Sequence, residues 1–180
     1  ILGTPDQTAA MTQMASELYA SNVRISAEKK NLARTVLAAC LESQGLTEGF
    51  NKSACAIIAG DVVYNMAHRE PRPEHSTGRR VNGSDLDIVI INDGLSSATA
   101  GLLDEAIHRK KFELLTSPLY HEEIDYLIKD KARALEQMAF NGFKDMVACK
   151  ILREGEYLLG NQQLLRSEEH TSELQSRHNL

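Results

Sequence analysis

Cysteine is scarce in this 180-residue chain, and the little there is forms no pattern. Cys40, Cys55 and Cys149 are odd in number, far apart and set among apolar neighbours. That excludes a disulfide framework or a cysteine metal site and predicts reduced core thiols in a cytoplasmic protein. Long apolar runs are missing as well. No stretch approaches the roughly 20 residues that a bilayer-spanning helix needs, and no secretory signal is legible. Basic residues do not predominate: 20 Lys and Arg stand against 25 Asp and Glu, for a formal charge of -5. A broad nucleic-acid-binding face needs clustered positive charge and is therefore disfavoured. Internal repeats and low-complexity stretches are absent too. What remains is ordinary, with 42% hydrophobic and 25% charged residues. The length suits one domain with a real core and a small helical annex.

The chain begins Ile1 rather than Met, so its natural start is expected upstream. Thr4 before Pro5 reads as an N-cap with proline at the first helical position, and Met11, Met14, Leu18 and Tyr19 follow at helical spacing. A second helix is predicted from Ser26 through Leu32, Val36, Leu37 and Leu41, stopped by Gly45. Residues 1–50 thus form an N-terminal helical segment of packing elements. Ala54–Ala59 is an apolar run, a helix end or a short strand, that feeds a turn at Gly60-Asp61 and a helical piece through Val62, Val63 and Met66. From His68 to Gly83 proline and arginine crowd together, which predicts a loop, either a lid or disordered. Gly83–Ile91 is the central strand. Ala98–Leu115 is an amphipathic helix broken by Ser117-Pro118, and Glu123–Ile128 is a second strand whose leading Glu122 and Glu123 read as solvated. A last helix through Phe143, Met146, Val147 and Ile151 is capped by Gly155 and returns as an edge strand at Tyr157–Leu159. The expected fold is α/β (α+β), a small mixed sheet flanked by helices, over 51–165. From Arg166 the hydrophobic period vanishes. Residues 166–180 resemble the conceptual translation of a sequencing-library adapter and are expected to be a non-native tail.

The chemistry concentrates in the central strand. Asp85 and Asp87 stand two apart, so their side chains leave the same face, about 7 Å apart along the strand. Two carboxylates that close at the mouth of an apolar strand repel each other and resist desolvation. A divalent cation removes the cost by taking an oxygen from each. The plainer alternative is that both cap the strand in solvent. Asp125, between Ile124 and Tyr126 in the second strand, supplies a third acid. The arginines at positions 69, 72, 79 and 80 would suit a triphosphate held by metal on one side and guanidinium groups on the other. His68 and His75 lack companions for a metal site of their own.

These residues resemble the nucleotidyltransferase superfamily, which shares its fold with DNA polymerase beta. Ser84-Asp85-Leu86-Asp87-Ile88-Val89-Ile90 is similar to its acidic strand, and Ile124-Asp125-Tyr126 to the strand bearing its third acid. Ile151-Leu152-Arg153-Glu154-Gly155 resembles the helix end that closes its small bacterial members. The resemblance covers about Ala54 to Gly160. It implies a metal-dependent transfer of a nucleoside monophosphate from a nucleoside triphosphate such as ATP to an acceptor hydroxyl, with release of pyrophosphate. Asp85, Asp87 and Asp125 would be catalytic and would hold Mg²⁺ or Mn²⁺, while Gly60, Ser84, Arg79 and Arg80 would contact the nucleotide. The acceptor ranges in this superfamily over small molecules, proteins and tRNA. One departure is plain: the family's turn carries glycine then serine, whereas this chain has Gly60-Asp61. An aspartate facing phosphate is repulsive unless a cation intervenes, and either Ser76 or Ser84 could supply the missing hydroxyl. The same resemblance admits a catalytically weak antitoxin or binding module with a helical toxin partner, and a nucleotide second-messenger synthase. A structural α/β domain with surface acids is the reading without a ligand.

Overall fold

The computed structural model describes residues 5–137 and 142–165 of the chain. Thr4 and the 166–180 tail lie outside the described residues. Helix α1 runs unbroken over Pro5–Ser43, so the two helices expected there are one. Ser26 is not a start. It is buried inside the helix, where its hydroxyl accepts from the Ala67 amide at 3.2 Å. A tertiary donor thus satisfies a side chain that local sequence reads as a cap. The helix ends as expected: Gly45 adopts φ +64°, and the Leu46 amide reaches back to the Leu41 carbonyl at 2.9 Å.

Short helix α2 (Thr47–Ser53) leads into strand β1 (Ala54–Ile58). A 3₁₀ turn at Gly60–Val62 replaces the expected helical piece, because the chain turns back onto the sheet there. The proline-rich segment is not a plain loop. Strand β2 (Pro71–Pro73) and strand β3 (Arg80–Asn82) pair antiparallel as a small hairpin. Prolines are tolerated on such an edge strand, where no further strand needs their missing N–H. Glu74 closes its turn by accepting from the amides and hydroxyls of Ser76 and Thr77, which holds its carboxyl down to about 2.

Strand β4 (Leu86–Asn92), helix α3 (Ser97–Thr116) and strand β5 (Ile124–Asp130) follow, then α4 (Lys131–Gln137), α5 (Phe143–Glu154) and β6 (Glu156–Gly160). The four-stranded sheet has the order β5-β4-β1-β6. β1 is antiparallel to β4 and β6, and β4 is parallel to β5, so the sheet is mixed. β6 takes the edge position the sequence predicts. Both faces are covered, which is why β4 reads as apolar from Ile88 to Ile91. Leu86, Ile88 and Ile90 join the core formed with α1 and α3. Val89 and Ile91 turn the other way, onto Cys55, Ile57 and the helices α4 and α5 through Ala134, Cys149 and Leu152. The α5 stripe is shifted from expectation: Met146 is exposed while Ala148, Cys149 and Leu152 pack. The side chains of Phe143 and Val147 lie outside the described set. All three cysteines are buried and stand outside any disulfide. No helix among the described residues is long and apolar enough to cross a membrane.

The first half of α1 departs from its expected packing role. Met11, Met14, Leu18 and Tyr19 are 62–71% exposed, and contacts with the sheet begin only near Ile25. Glu122 and Glu123, expected in solvent, are instead buried. Lys29 of α1, itself 2% exposed, pairs with Glu122 and donates to the Asn82 carbonyl at 3.0 Å. Burial pushes the Glu122 carboxyl up, and Lys29 opposes the rise. This pair clamps α1 to the start of β5. Lys29→Met should therefore cost about 3 kcal/mol by stranding a buried carboxylate. Lys29→Met with Glu122→Leu should recover most of that in a denaturant titration. A single variant as stable as the parent would show that the pair holds nothing.

Candidate metal centre

Parallel pairing of β4 with β5 assembles the site. The register sets Leu86 opposite Ile124 and Asp87 opposite Asp125. Asp85 lies one residue before β4 and shares the face of Asp87 through strand alternation. A carboxylate oxygen from each of Asp85, Asp87 and Asp125 falls within 4.8 Å of the other two. Asp85 and Asp87 are half-buried and Asp125 is exposed, so the cluster opens to solvent on one side.

Each acid meets a different environment. Arg72, from the hairpin, lies 3.4 Å from Asp85 and 2.8 Å from the buried Glu123. Its Nε also donates to the Gly83 carbonyl at 2.8 Å. The contact with Glu123 Oε2 is an ion pair without a hydrogen bond's alignment. Lys111 of α3 donates to Asp125 at 2.9 Å. Among the described residues, no cation stands at contact distance from Asp87. Burial, then the negative charges of Asp85, Asp125 and Asp61, push its carboxyl up to about 6, against some relief from Arg72. A carboxyl raised by burial and by neighbouring acids is one that a nearby cation would stabilise in its charged form.

Gly60 is required where it stands. It adopts φ +70°, and a Cβ there would come within 2.3 Å of Asp87 Oδ2. The turn therefore lies directly against the acidic cluster. Asp61 does not aim an unpartnered charge outward, because its Oδ2 accepts from Ser84 Oγ at 2.8 Å. Ser84 is buried, and its hydroxyl also accepts from the His68 amide at 3.3 Å. Ser76 is committed to Glu74. Arg79 and Arg80 are exposed on the hairpin and do not line the cavity beside the acids.

That cavity, about 630 Å³, is lined by Asp87 and Asp125 together with the apolar Val89 and Leu127 of the sheet, Gly60, Val63 and Tyr64, and Lys150, Ile151 and Glu154 of α5. The Tyr64 hydroxyl donates to Glu154, and Lys150 Nζ lies 5.6 Å from the Tyr64 ring centre. An apolar hollow with a few polar groups converging on its rim is the common form of a small-molecule site.

Sequence reasoning places the three acids and Gly60 at this centre. It groups Arg72 with the loop arginines suited to phosphate, whereas the structure sets it on Asp85 and Glu123. Glu154 it reads only as part of a helix end. Lys111, Tyr64 and Lys150 it misses, since their positions depend on distant segments meeting. No family model, curated protein or solved structure matches this chain.

Proposed function

We propose that the chain is a metal-dependent nucleotidyltransferase of the DNA polymerase beta-like superfamily, moving a nucleoside monophosphate from a nucleoside triphosphate to an acceptor hydroxyl. The observation that carries the reading is the convergence of Asp85, Asp87 and Asp125, the latter two lining a substrate-sized cavity. Three hard carboxylate oxygens that close together fit Mg²⁺ or Mn²⁺, and the Asp87 carboxyl, raised by burial and then by its acidic neighbours, supports that reading. Bound there, divalent ions would neutralise the phosphates and favour the acceptor's alkoxide.

The chain's own residues supply position. Asp87 and Asp125 are fixed opposite each other by the strand register, so their spacing needs no rearrangement on binding. Gly60, with no side chain, leaves the backbone close to the acids, where a phosphate can approach. Arg72 holds Asp85 in place while keeping its own charge directed at the cluster. Val89 and Leu127 add apolar surface to the cavity beside the acids. Little covalent work falls to the protein in this reaction, so positioning and charge carry the rate.

The test is isothermal titration of the whole chain with Mn²⁺ in chelator-treated buffer, followed by pyrophosphate assays with each nucleoside triphosphate. Saturable binding that is lost in Asp85→Asn, together with pyrophosphate release, is the expected result. No saturable binding would end the proposal. The bond between Asp61 and Ser84 favours a second reading, a binding module of the same fold with weak catalysis, because it occupies the hydroxyl nearest the turn. Metal and nucleotide binding without pyrophosphate release in the presence of acceptors would select that reading.

A further inference from the structure

We propose that Lys111 is a displaceable counterion that occupies Asp125 until a divalent cation takes its place, and so sets the metal affinity of the centre. The inference rests on the metal-binding reading above. It begins from an asymmetry: two of the three acids have a cation of the chain's own at contact distance, and the two cations are held very differently.

Arg72 is anchored on three sides, by Asp85, by the Gly83 carbonyl and by Glu123, whose side chain is 3% exposed. Removing it would strand a buried charge, which is costly. Lys111 pairs with Asp125; its side chain is 26% exposed, close to that of Arg72, but the carboxylate it meets is 52% exposed rather than buried. A pair with one partner in solvent contributes little, and a lysine stem can swing toward that solvent at small cost.

The position of Lys111 is nonetheless fixed by the fold. The Tyr126 hydroxyl, one residue past Asp125, donates to Asp104 Oδ1 at 2.9 Å and ties α3 to β5. Lys111 lies seven residues beyond Asp104, two helical turns along the same face, which carries its stem to the rim of the sheet beside Asp125. Lys110, its neighbour, turns instead to Glu113 at 2.9 Å. A dication seated between Asp87 and Asp125 competes for the oxygen that Lys111 now holds, and like charge drives the ammonium away. The protein thus keeps Asp125 neutralised when empty without blocking the site when metal arrives.

The probe is Mn²⁺, titrated calorimetrically into the full chain and into Lys111→Met and Lys110→Met at equal ionic strength. Removing the competing charge should tighten Mn²⁺ binding about three- to tenfold in Lys111→Met, as expected for deleting one exposed ion pair and its repulsion of a dication. Lys110→Met, which deletes the same charge one residue away, should bind like the parent. Thermal melts without metal check that both variants fold. If the parent binds Mn²⁺ and Lys111→Met binds it no more tightly, or Lys110→Met gains as much, the counterion role is wrong while the centre stands. If the parent binds no Mn²⁺, the centre and the counterion fall together.

Discussion

Gly83→Ala should lower the melting temperature by more than about 10 °C, a loss of at least about 4 kcal/mol for a chain of this size. Gly83 joins β3 to β4 with φ +70°. A Cβ there would lie 1.8 Å from the His68 carbonyl oxygen, 2.5 Å from its carbon and 2.8 Å from Arg69 Cα. All three are backbone atoms, so no rotamer change relieves the overlap. The chain must instead part where the Ser84 amide meets the His68 carbonyl and where Arg72 grips the Gly83 carbonyl. Both contacts lead to the acidic cluster, so the strand that carries Asp85 and Asp87 loses its mooring as well. Gly78→Ala separates strain from collision. Gly78 has a similar φ of +68° but open space around it, so alanine there should cost only about 1 kcal/mol. Equal melting temperatures for the two variants would show that the contact with His68 is not fixed.

Asp87→Asn should abolish metal-dependent transfer, by roughly a thousandfold or more, or about 4 kcal/mol of transition-state stabilisation. It should at the same time stabilise the metal-free protein near pH 7. The Asp87 carboxyl stands at about 6 in the fold against 3.8 for the free group, mainly through burial and then through Asp85, Asp125 and Asp61. The folded state therefore holds this proton more tightly than the unfolded chain. Its contribution to stability is full below about pH 3.8 and is lost as pH rises through about 6. At pH 7 the parent carries an unfavourable buried charge. Solvent on the open side of the cluster screens it, leaving a penalty of about 1–2 kcal/mol. Asparagine removes that penalty, so the variant should be the more stable at pH 7 in chelator and equal to the parent near pH 4. Added Mn²⁺ should reverse the order, because only the parent gains stability by binding. Full transfer activity in the variant, or a lower melting temperature than the parent at pH 7 in chelator, would refute the role given to Asp87.

Much of the sheet was legible. The β-branched run of β4, the Ala98–Leu115 helix, the β5 strand and the closing α5–β6 corner all stand close to where periodicity and Gly or Pro signals put them. The acids were legible because they interrupt apolar runs. A strand's two-residue period sends Asp85 and Asp87 to one face, and Asp125 sits in a second apolar stretch. The errors share one cause. Ser26 looked like a helix start because serine caps helices, yet the Ala67 amide, far along the chain, claims its hydroxyl. Glu122 and Glu123 looked solvated because they lie before the apolar run, yet Lys29 and Arg72 meet them in the interior. The stripe of Met11, Met14, Leu18 and Tyr19 looked like packing, and the sheet does not reach it.

By itself, then, the sequence determined which strands are apolar, which carry acids, and that Asp85 and Asp87 face the same way, because side-chain alternation is a property of a few consecutive residues. Only the tertiary structure decided that Asp125 stands opposite Asp87, that Arg72 meets Asp85, and that Lys111 pairs with Asp125. Ion pairs and strand register join residues across long loops, and which partners meet depends on how the whole chain closes.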